Sequence, residues 1–349
     1  MKAPFVWFGG KRRVAPEVWA ALGDVPNYIE PFAGSLAVLL GRPHDMSNGT
    51  RRAETVNDAD GFLANFWRAL AHDPEAVAHW CDWPVNEVDL FARHLWLVNT
   101  GRSRLLEGME ADPDFYDAQV AGWWVWGVNA WIGSGWCSGD GPWVDTGDGI
   151  GKRPHLGNAG QGVNRQRPHL GDAGQGVNRK LPHLGNAGRA GYNNMEYRPN
   201  VLGYFEELAG RLRDVRVCCG DWSRVCTSGA MSHGSRVGVF LDPPYLGDVR
   251  TADLYAVDDH TIAHAVRDWC LEHGDDPRLR IVLAGYRAEH DDLMPDTWRR
   301  HYYSASAAYS TTESAARQDG NHANRANEVL WFSPHCVTPD RQGELWEAL

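Results

Sequence analysis

Four runs of four or five residues, Val215–Cys218, Val237–Leu241, Arg280–Ala284 and Glu328–Phe332, share one texture. Each is apolar and β-branched or aromatic in character, and each is followed by turn-forming residues. Runs of that length between turns read as buried strands. Val25 to Ile29 reads the same way, and another strand ends at Val56. Helix-like stretches alternate with them: Ser35 to Leu40, Gly61 to Leu70, and about Asp259 to Glu272, where Ile262, Val266, Trp269 and Cys270 fall near helical spacing and Asp258 is a candidate cap. Strands alternating with helices dictate an α/β fold with a mostly parallel sheet. The alternation lapses between about residues 71 and 212. At 349 residues, and with about 150 residues per domain, the chain has room for one α/β domain and a large insertion. The expected division is residues 1–70 and 213–349 in the α/β domain, with 71–212 inserted.

The insertion has its own character. Six of the 17 tryptophans (Trp123, Trp124, Trp126, Trp131, Trp136, Trp143) fall between residues 123 and 143, among several glycines. A small local core is one reading, and stacking on or between nucleobases is the other. A fourteen-residue repeat follows: Arg153 to Arg165 recurs as Arg167 to Arg179 with only Asn158 changed, to Asp172, and a decaying copy begins at Leu181. Its glycine and proline density excludes a helical repeat, and one Leu and one Val per copy leave little to bury. The repeats, spanning 153–194, read as extended loop-turn units.

Three short motifs carry chemistry. Glu30-Pro31-Phe32-Ala33-Gly34 lies between a strand and a helix, where a glycine lets a ligand approach the backbone and the helix N-terminus favours a carboxylate. Asn57-Asp58 ends the next strand. An acidic residue there binds ribose hydroxyls in nucleoside-binding α/β folds, although it could equally cap the helix starting at Gly61. Asp242-Pro243-Pro244-Tyr245 follows the apolar run Val237–Leu241. Two prolines cannot continue a central strand, so they fix a rigid turn at its carboxyl end, the edge where open α/β sheets bind ligands. The turn presents a carboxylate, proline carbonyls and an aromatic face, the set that an exocyclic amine needs; the plainer alternative is a Pro-Pro turn with a capping Asp. Trp7-Phe8-Gly9-Gly10-Lys11 reads as a tight loop with a cation beside aromatics, or as an N-terminal arm.

Taken in order, Trp7-x-Gly-Gly10-Lys11, Glu30-Pro-Phe-x-Gly34, Asn57-Asp58, Gly220-Asp221-Trp222 and Asp242-Pro-Pro-Tyr245 resemble the blocks of the Dam-type DNA adenine-N6 methyltransferases. Asn327–Trp331 is similar to that family's closing strand. The resemblance spans residues 4–67 and about 213–333. It implies a Rossmann-like S-adenosylmethionine methyltransferase sheet interrupted by an inserted target-recognition region. It places S-adenosylmethionine over Glu30, Phe32 and Gly34, with Trp7, Gly10 and Lys11 closing the pocket. Asp58 would take the ribose hydroxyls, and Asp221 beside Trp222 the adenine ring. Asp242 and Pro243, with Pro244 shaping the turn, would accept hydrogen bonds from the target amine of an extruded base in duplex DNA, on which Tyr245 would stack. Catalysis is then positioning and electrostatics, with no metal. Methylation of cytosine N4, of RNA, or a catalytically silent DNA-binding module are the rivals.

The net charge of −11 is set against a polyanionic partner only on average. Residues 151–200 hold eight basic and two acidic side chains, a local +6; residues 1–13 add +4, leaving −21 for the rest. The repeats therefore offer Arg153, His155, Arg165, Arg167, His169, Arg179 and Lys180 for DNA contacts, with binding that weakens in salt. His155, His169 and His183 are too widely spaced for a zinc site of known type. Seven cysteines without a Cys-x-x-Cys pair suit a reducing compartment, and no apolar run reaches the roughly 20 residues that span a bilayer. With no signal-peptide pattern at Met1–Pro4, a cytoplasmic protein is expected.

Overall fold

The computed structural model describes residues 1–5, 7, 10–43, 52–131, 136–137, 143–145, 150–152, 201–244, 259–303 and 328–338. Two compact units divide the chain: Met1 with Trp7–Ala59 and Asp214–Leu349, and Lys2–Val6 with Asp60–Arg213.

The first unit is an α/β fold around a seven-stranded sheet. Its strands are β1 (Asn27–Glu30), β2 (Ala53–Asp58), β5 (Val215–Cys219), β6 (Val237–Leu241), β7 (Leu279–Tyr286), β8 (Arg299–Tyr303) and β9 (Glu328–Phe332). They lie in the order β5-β2-β1-β6-β7-β9-β8. The first five are parallel, and β9 runs antiparallel to both β7 and β8. This is the expected mostly parallel, Rossmann-like sheet. Strand order reverses between β1 and β6, so the chain leaves their carboxyl ends in opposite directions and opens a crevice there.

Burial follows position. β1, β6 and β9 are buried throughout, as strands covered on both faces must be, while the edges β5 and β8 are half-exposed. Alternation assigns the faces: Ile29, Val237, Val239, Leu241, Leu279, Ile281, Leu283, Val329 and Trp331 form one core with Val266 and Cys270 of α9 (Asp259–His273). On the other face α1 (Ala15–Leu22) lies against Gly238, where a Cβ would come within 2.8 Å of Val25. Two expectations shift at their ends. The first strand starts at Asn27 rather than Val25, and the helix expected from Ser35 begins at Ala37 as α2 (Ala37–Leu40). The delay is conformational: Gly34 and Leu36 both take positive φ, 46° and 54°, and the chain turns before it coils. Asp258 lies outside the described residues.

The second unit is helical, with α3 (Gly61–His72), α4 (Pro74–Cys81), α5 (Glu87–Trp96), α6 (Arg102–Ala111), α7 (Ala118–Ala130), α8 (Val201–Leu212) and a short hairpin of β3 (Trp143–Asp145) and β4 (Ile150–Lys152). A π-helical turn, Leu97–Gly101, joins α5 to α6. α7 carries the tryptophan cluster, and the local-core reading holds there. Trp124 is buried against Phe5 and Phe66, with centroids at 5.2 and 5.6 Å. Trp126 donates to the Trp83 carbonyl at 2.9 Å, and Trp136 to the Trp124 carbonyl at 3.0 Å. Trp131 stacks on His94 at 4.8 Å. The buried Arg93 guanidinium lies over Trp83, Trp123 and Trp126 at 5.2, 5.2 and 4.3 Å, a cation–π arrangement that lets a charge enter an aromatic core. None of the seven cysteines is in a disulfide. Cys137 is buried, whereas Cys218 and Cys219 are only half-buried because β5 is an edge strand. Among the described residues no helix is long and apolar enough to cross a membrane.

Candidate active site at the carboxyl edge of the sheet

The loops that leave β5, β2 and β1 are joined through one side chain. The Asn57 amide donates to the Pro31 carbonyl at 3.0 Å and to the Gly220 carbonyl at 2.9 Å. The Asn57 carbonyl accepts from Ala33 N at 2.9 Å, and the Asp58 carbonyl from Gly220 N at 3.0 Å. Asn57 was expected only as the neighbour of Asp58; its bracing role depends on strand order, which the sequence does not display. Asp58 itself is buried, and its Oδ2 accepts from the Gly34 amide at 2.9 Å. The helix starting at Gly61 is capped instead by Asp60, whose carboxylate takes the amides of Phe62 and Leu63. Capping therefore does not account for Asp58.

Gly34 is required twice over. Its φ of +46° suits glycine, and a Cβ there would stand 2.9 Å from Trp7 Cδ1 and 3.0 Å from Trp7 Nε1. Trp7 thus lies directly on the turn. Gly10 hydrogen-bonds back to the Trp7 carbonyl at 3.3 Å, closing the loop that delivers Lys11. The Lys11 ammonium, buried, pairs with Asp242 Oδ1 at 2.9 Å. Asp242 is half-buried one residue past β6, followed by the buried Pro243 and half-buried Pro244. The first and last sequence blocks therefore meet in an ion pair.

Glu30 is not open to solvent. Its carboxyl group is 2 % exposed and accepts from the Tyr28 hydroxyl at 2.9 Å and from the Leu39 amide of α2 at 3.3 Å. Burial pushes its pKa up to about 8, with the charges of Asp242 and Glu54 adding to the rise and the two hydrogen bonds opposing it. On the other side of the crevice Phe32 and Trp222 stack with centroids 6.2 Å apart and planes 26° apart. Trp269 of α9 supports Trp222 edge-on at 6.4 Å. Asp221 is exposed, and its carboxylate caps the short turn Trp222–Val225 through Ser223.

The structure thus brings together Trp7, Gly10, Lys11, Glu30, Phe32, Gly34, Asp58, Asp221, Trp222, Asp242, Pro243 and Pro244 around the carboxyl ends of β1, β2, β5 and β6. Tyr245 lies outside the described residues, as do Arg153, His155, Arg165, Arg167, His169, Arg179 and Lys180. One residue escaped the motif reading: Glu328 opens β9 and is buried at the same edge. A glutamate heading an otherwise apolar run was its one signal. Among the described residues no group of three or more His, Cys, Asp or Glu is placed to hold a metal ion.

No curated protein matches the chain. Residues 7–85 match the family model of the D12 class N6 adenine-specific DNA methyltransferases, a stretch that contains Trp7, Lys11, Gly34 and Asp58. Over that stretch the chain is similar to enzymes that methylate DNA at adenine N6, which supports that activity; the cytosine and silent-module alternatives are not favoured.

Proposed function

We propose that the crevice between β1 and β6 binds S-adenosylmethionine beside an adenine extruded from duplex DNA, and that Asp242 presents the adenine amine to the methyl group. The observation that carries this reading is the convergence of the Gly34–Asp58 turn and the Lys11–Asp242 pair at the point where strand order reverses.

The residues present suit such a cofactor. The Gly34 turn has no room for a side chain beneath Trp7, so the backbone itself forms the floor. Asp58 offers a carboxylate for vicinal hydroxyls, and the stacked Phe32 and Trp222 offer an aromatic surface for a purine. S-adenosylmethionine supplies an electrophilic methyl group on a sulfonium sulfur that leaves as a neutral thioether. The ion pair with Lys11 fixes Asp242 in place, so that this carboxylate and the Pro243 carbonyl can accept the two N–H bonds of the amine. Held that way, the nitrogen lone pair is turned out of ring conjugation and toward the methyl carbon. As the amine accepts the methyl group, positive charge would develop on its nitrogen beside the Asp242 carboxylate, and an N–H proton would then leave to solvent. Tyr245 completes this reading as the surface on which the extruded base stacks.

Residues 71–212 are read as the inserted target-recognition region, with the basic repeats making phosphate contacts that weaken as salt rises. The full chain, incubated with methyl-labelled S-adenosylmethionine and unmethylated duplex DNA, should place label on N6-methyladenine. Asp242→Ala should abolish it while cofactor affinity, read by calorimetry, persists. Undiminished labelling by Asp242→Ala would remove Asp242 from the chemistry.

A further inference from the structure

Asn57 stands one residue from the end of β2, the strand that lies between β1 and β5. Its side-chain amide donates to the Pro31 carbonyl at 3.0 Å and to the Gly220 carbonyl at 2.9 Å, while its own carbonyl accepts from Ala33 N. Phe32, between Pro31 and Ala33, is thereby held on both sides by a single residue. Gly220 is held at both ends too. Its N–H goes to the Asp58 carbonyl and its C=O takes the Asn57 amide, at a φ of +131° that suits glycine. Two residues further on stands Trp222, whose ring stacks with Phe32 at 6.2 Å between centroids. The two rings of the crevice are therefore carried by two turns that one buried side chain ties together.

The tie depends on the chemistry of a primary amide. Bridging two carbonyl oxygens takes a group with two N–H bonds, so the nitrogen of the Asn57 amide must face them. Asn57 Oδ1 is buried and has no hydrogen-bond partner among the described residues, so the side chain serves the two turns alone. An aspartate of the same shape has no donor and would set a charge against both carbonyls. We propose that Asn57 is a positioning residue for the cofactor: by tying the Pro31 and Gly220 carbonyls it sets the separation of Phe32 and Trp222, and with it the slot that takes the purine ring of S-adenosylmethionine. The proposal rests on the reading of the crevice given above. Its benefit is preorganisation, since a slot already held at its working width loses little freedom when the purine enters. Asn57 acts through the two turns, so its effect falls on cofactor binding and leaves the transfer step at Asp242 untouched.

The test uses the full chain with Asn57→Asp, which keeps shape and removes both donors, and Asn57→Leu, which removes them without adding a charge. S-adenosylmethionine affinity by calorimetry should fall about tenfold to a hundredfold, the loss expected when buried carbonyls go unpaired. Single-turnover methylation of duplex DNA at saturating S-adenosylmethionine should stay within about threefold of wild type, as when binding and not transfer is damaged. In a Trp222→Ala background Asn57→Leu should cost little further affinity, because the slot it spaces has lost a wall. An asparagine that only supports the fold would cost as much there as in wild type. Wild-type affinity for either variant, or an equal loss in the Trp222→Ala background, overturns the proposal. If neither variant folds, Asn57→Ser, which keeps one donor, takes their place, and wild-type affinity for it overturns the proposal instead. Binding that Trp222→Ala weakens and Asn57→Leu does not defeats only this inference. A wild-type chain that does not bind S-adenosylmethionine, or a Trp222→Ala variant that binds it undiminished, defeats the reading beneath it.

Discussion

Trp7 rests on Gly34 so closely that a single methyl group on the glycine would stand 2.9 Å from Trp7 Cδ1. The same glycine donates its amide to Asp58 and holds φ at +46°. Gly34→Ala should therefore act at three points together. The left-handed conformation alone costs an alanine about 1–2 kcal/mol. Relief would come from moving either Trp7 or the turn, and moving the turn disturbs the amide that Asp58 accepts. We expect a lower melting temperature and a cofactor affinity that falls at least as far as the stability does. Calorimetric titration of S-adenosylmethionine into wild type and Gly34→Ala measures it, and equal affinities would separate this turn from cofactor binding.

Glu30 gives the chain a stability that depends on pH. Its carboxyl group ionises near 8 in the folded protein, against 4.5 as the ordinary value. Between those limits the folded state holds a proton that the unfolded state has released, so stability falls as pH rises across that window, by up to about 1.4 kcal/mol per pH unit. His290 works in the opposite sense and elsewhere on the scale: burial, with Arg267 and His264 adding, lowers it from 6.5 to about 4, so its penalty falls on acidification. Glu30→Gln cannot ionise. It should match wild type near pH 5 and surpass it above pH 8, in urea denaturation followed by circular dichroism. Parallel curves for the two proteins across pH 5–9 would show that Glu30 titrates normally.

What could be read before the fold was known divides along physical lines. Turn chemistry is local, so Glu30-Pro31-Phe32-Ala33-Gly34 and Asp242-Pro243-Pro244 announced themselves, and buried strands such as Val237–Leu241 were plain because both faces are covered. β8 was not, since Arg-Arg-His-Tyr-Tyr at 299–303 carries no apolar alternation and forms a half-exposed edge. The Lys11–Asp242 pair, the Asn57 brace and the place of Glu328 depend on which strands are neighbours. Strand order is a property of the whole sheet, and no window of sequence contains it. Apart from α3, the second unit hid its helices for a different reason. α7 is apolar nearly all round because it is buried among other helices, so it shows no clean amphipathic stripe.

That same helix carries the sharpest glycine packing constraint among the described residues outside the α/β unit. Gly127 lies under the Trp136 indole, where a Cβ would fall 1.8 Å from the ring. Helix propensity by itself favours alanine over a mid-helix glycine by about 1 kcal/mol. Gly210 of α8 tests that term alone, because a Cβ there meets nothing within 4 Å. Gly210→Ala should raise stability by about 0.5–1 kcal/mol. At Gly127 the sign should reverse. The indole would have to leave its place and with it the 3.0 Å hydrogen bond to the Trp124 carbonyl. Overpacking of this kind costs about 1–3 kcal/mol, which exceeds the gain in propensity. Denaturant midpoints of the two variants against wild type decide the matter, and a stabilised Gly127→Ala would mean that Trp136 is free to move away.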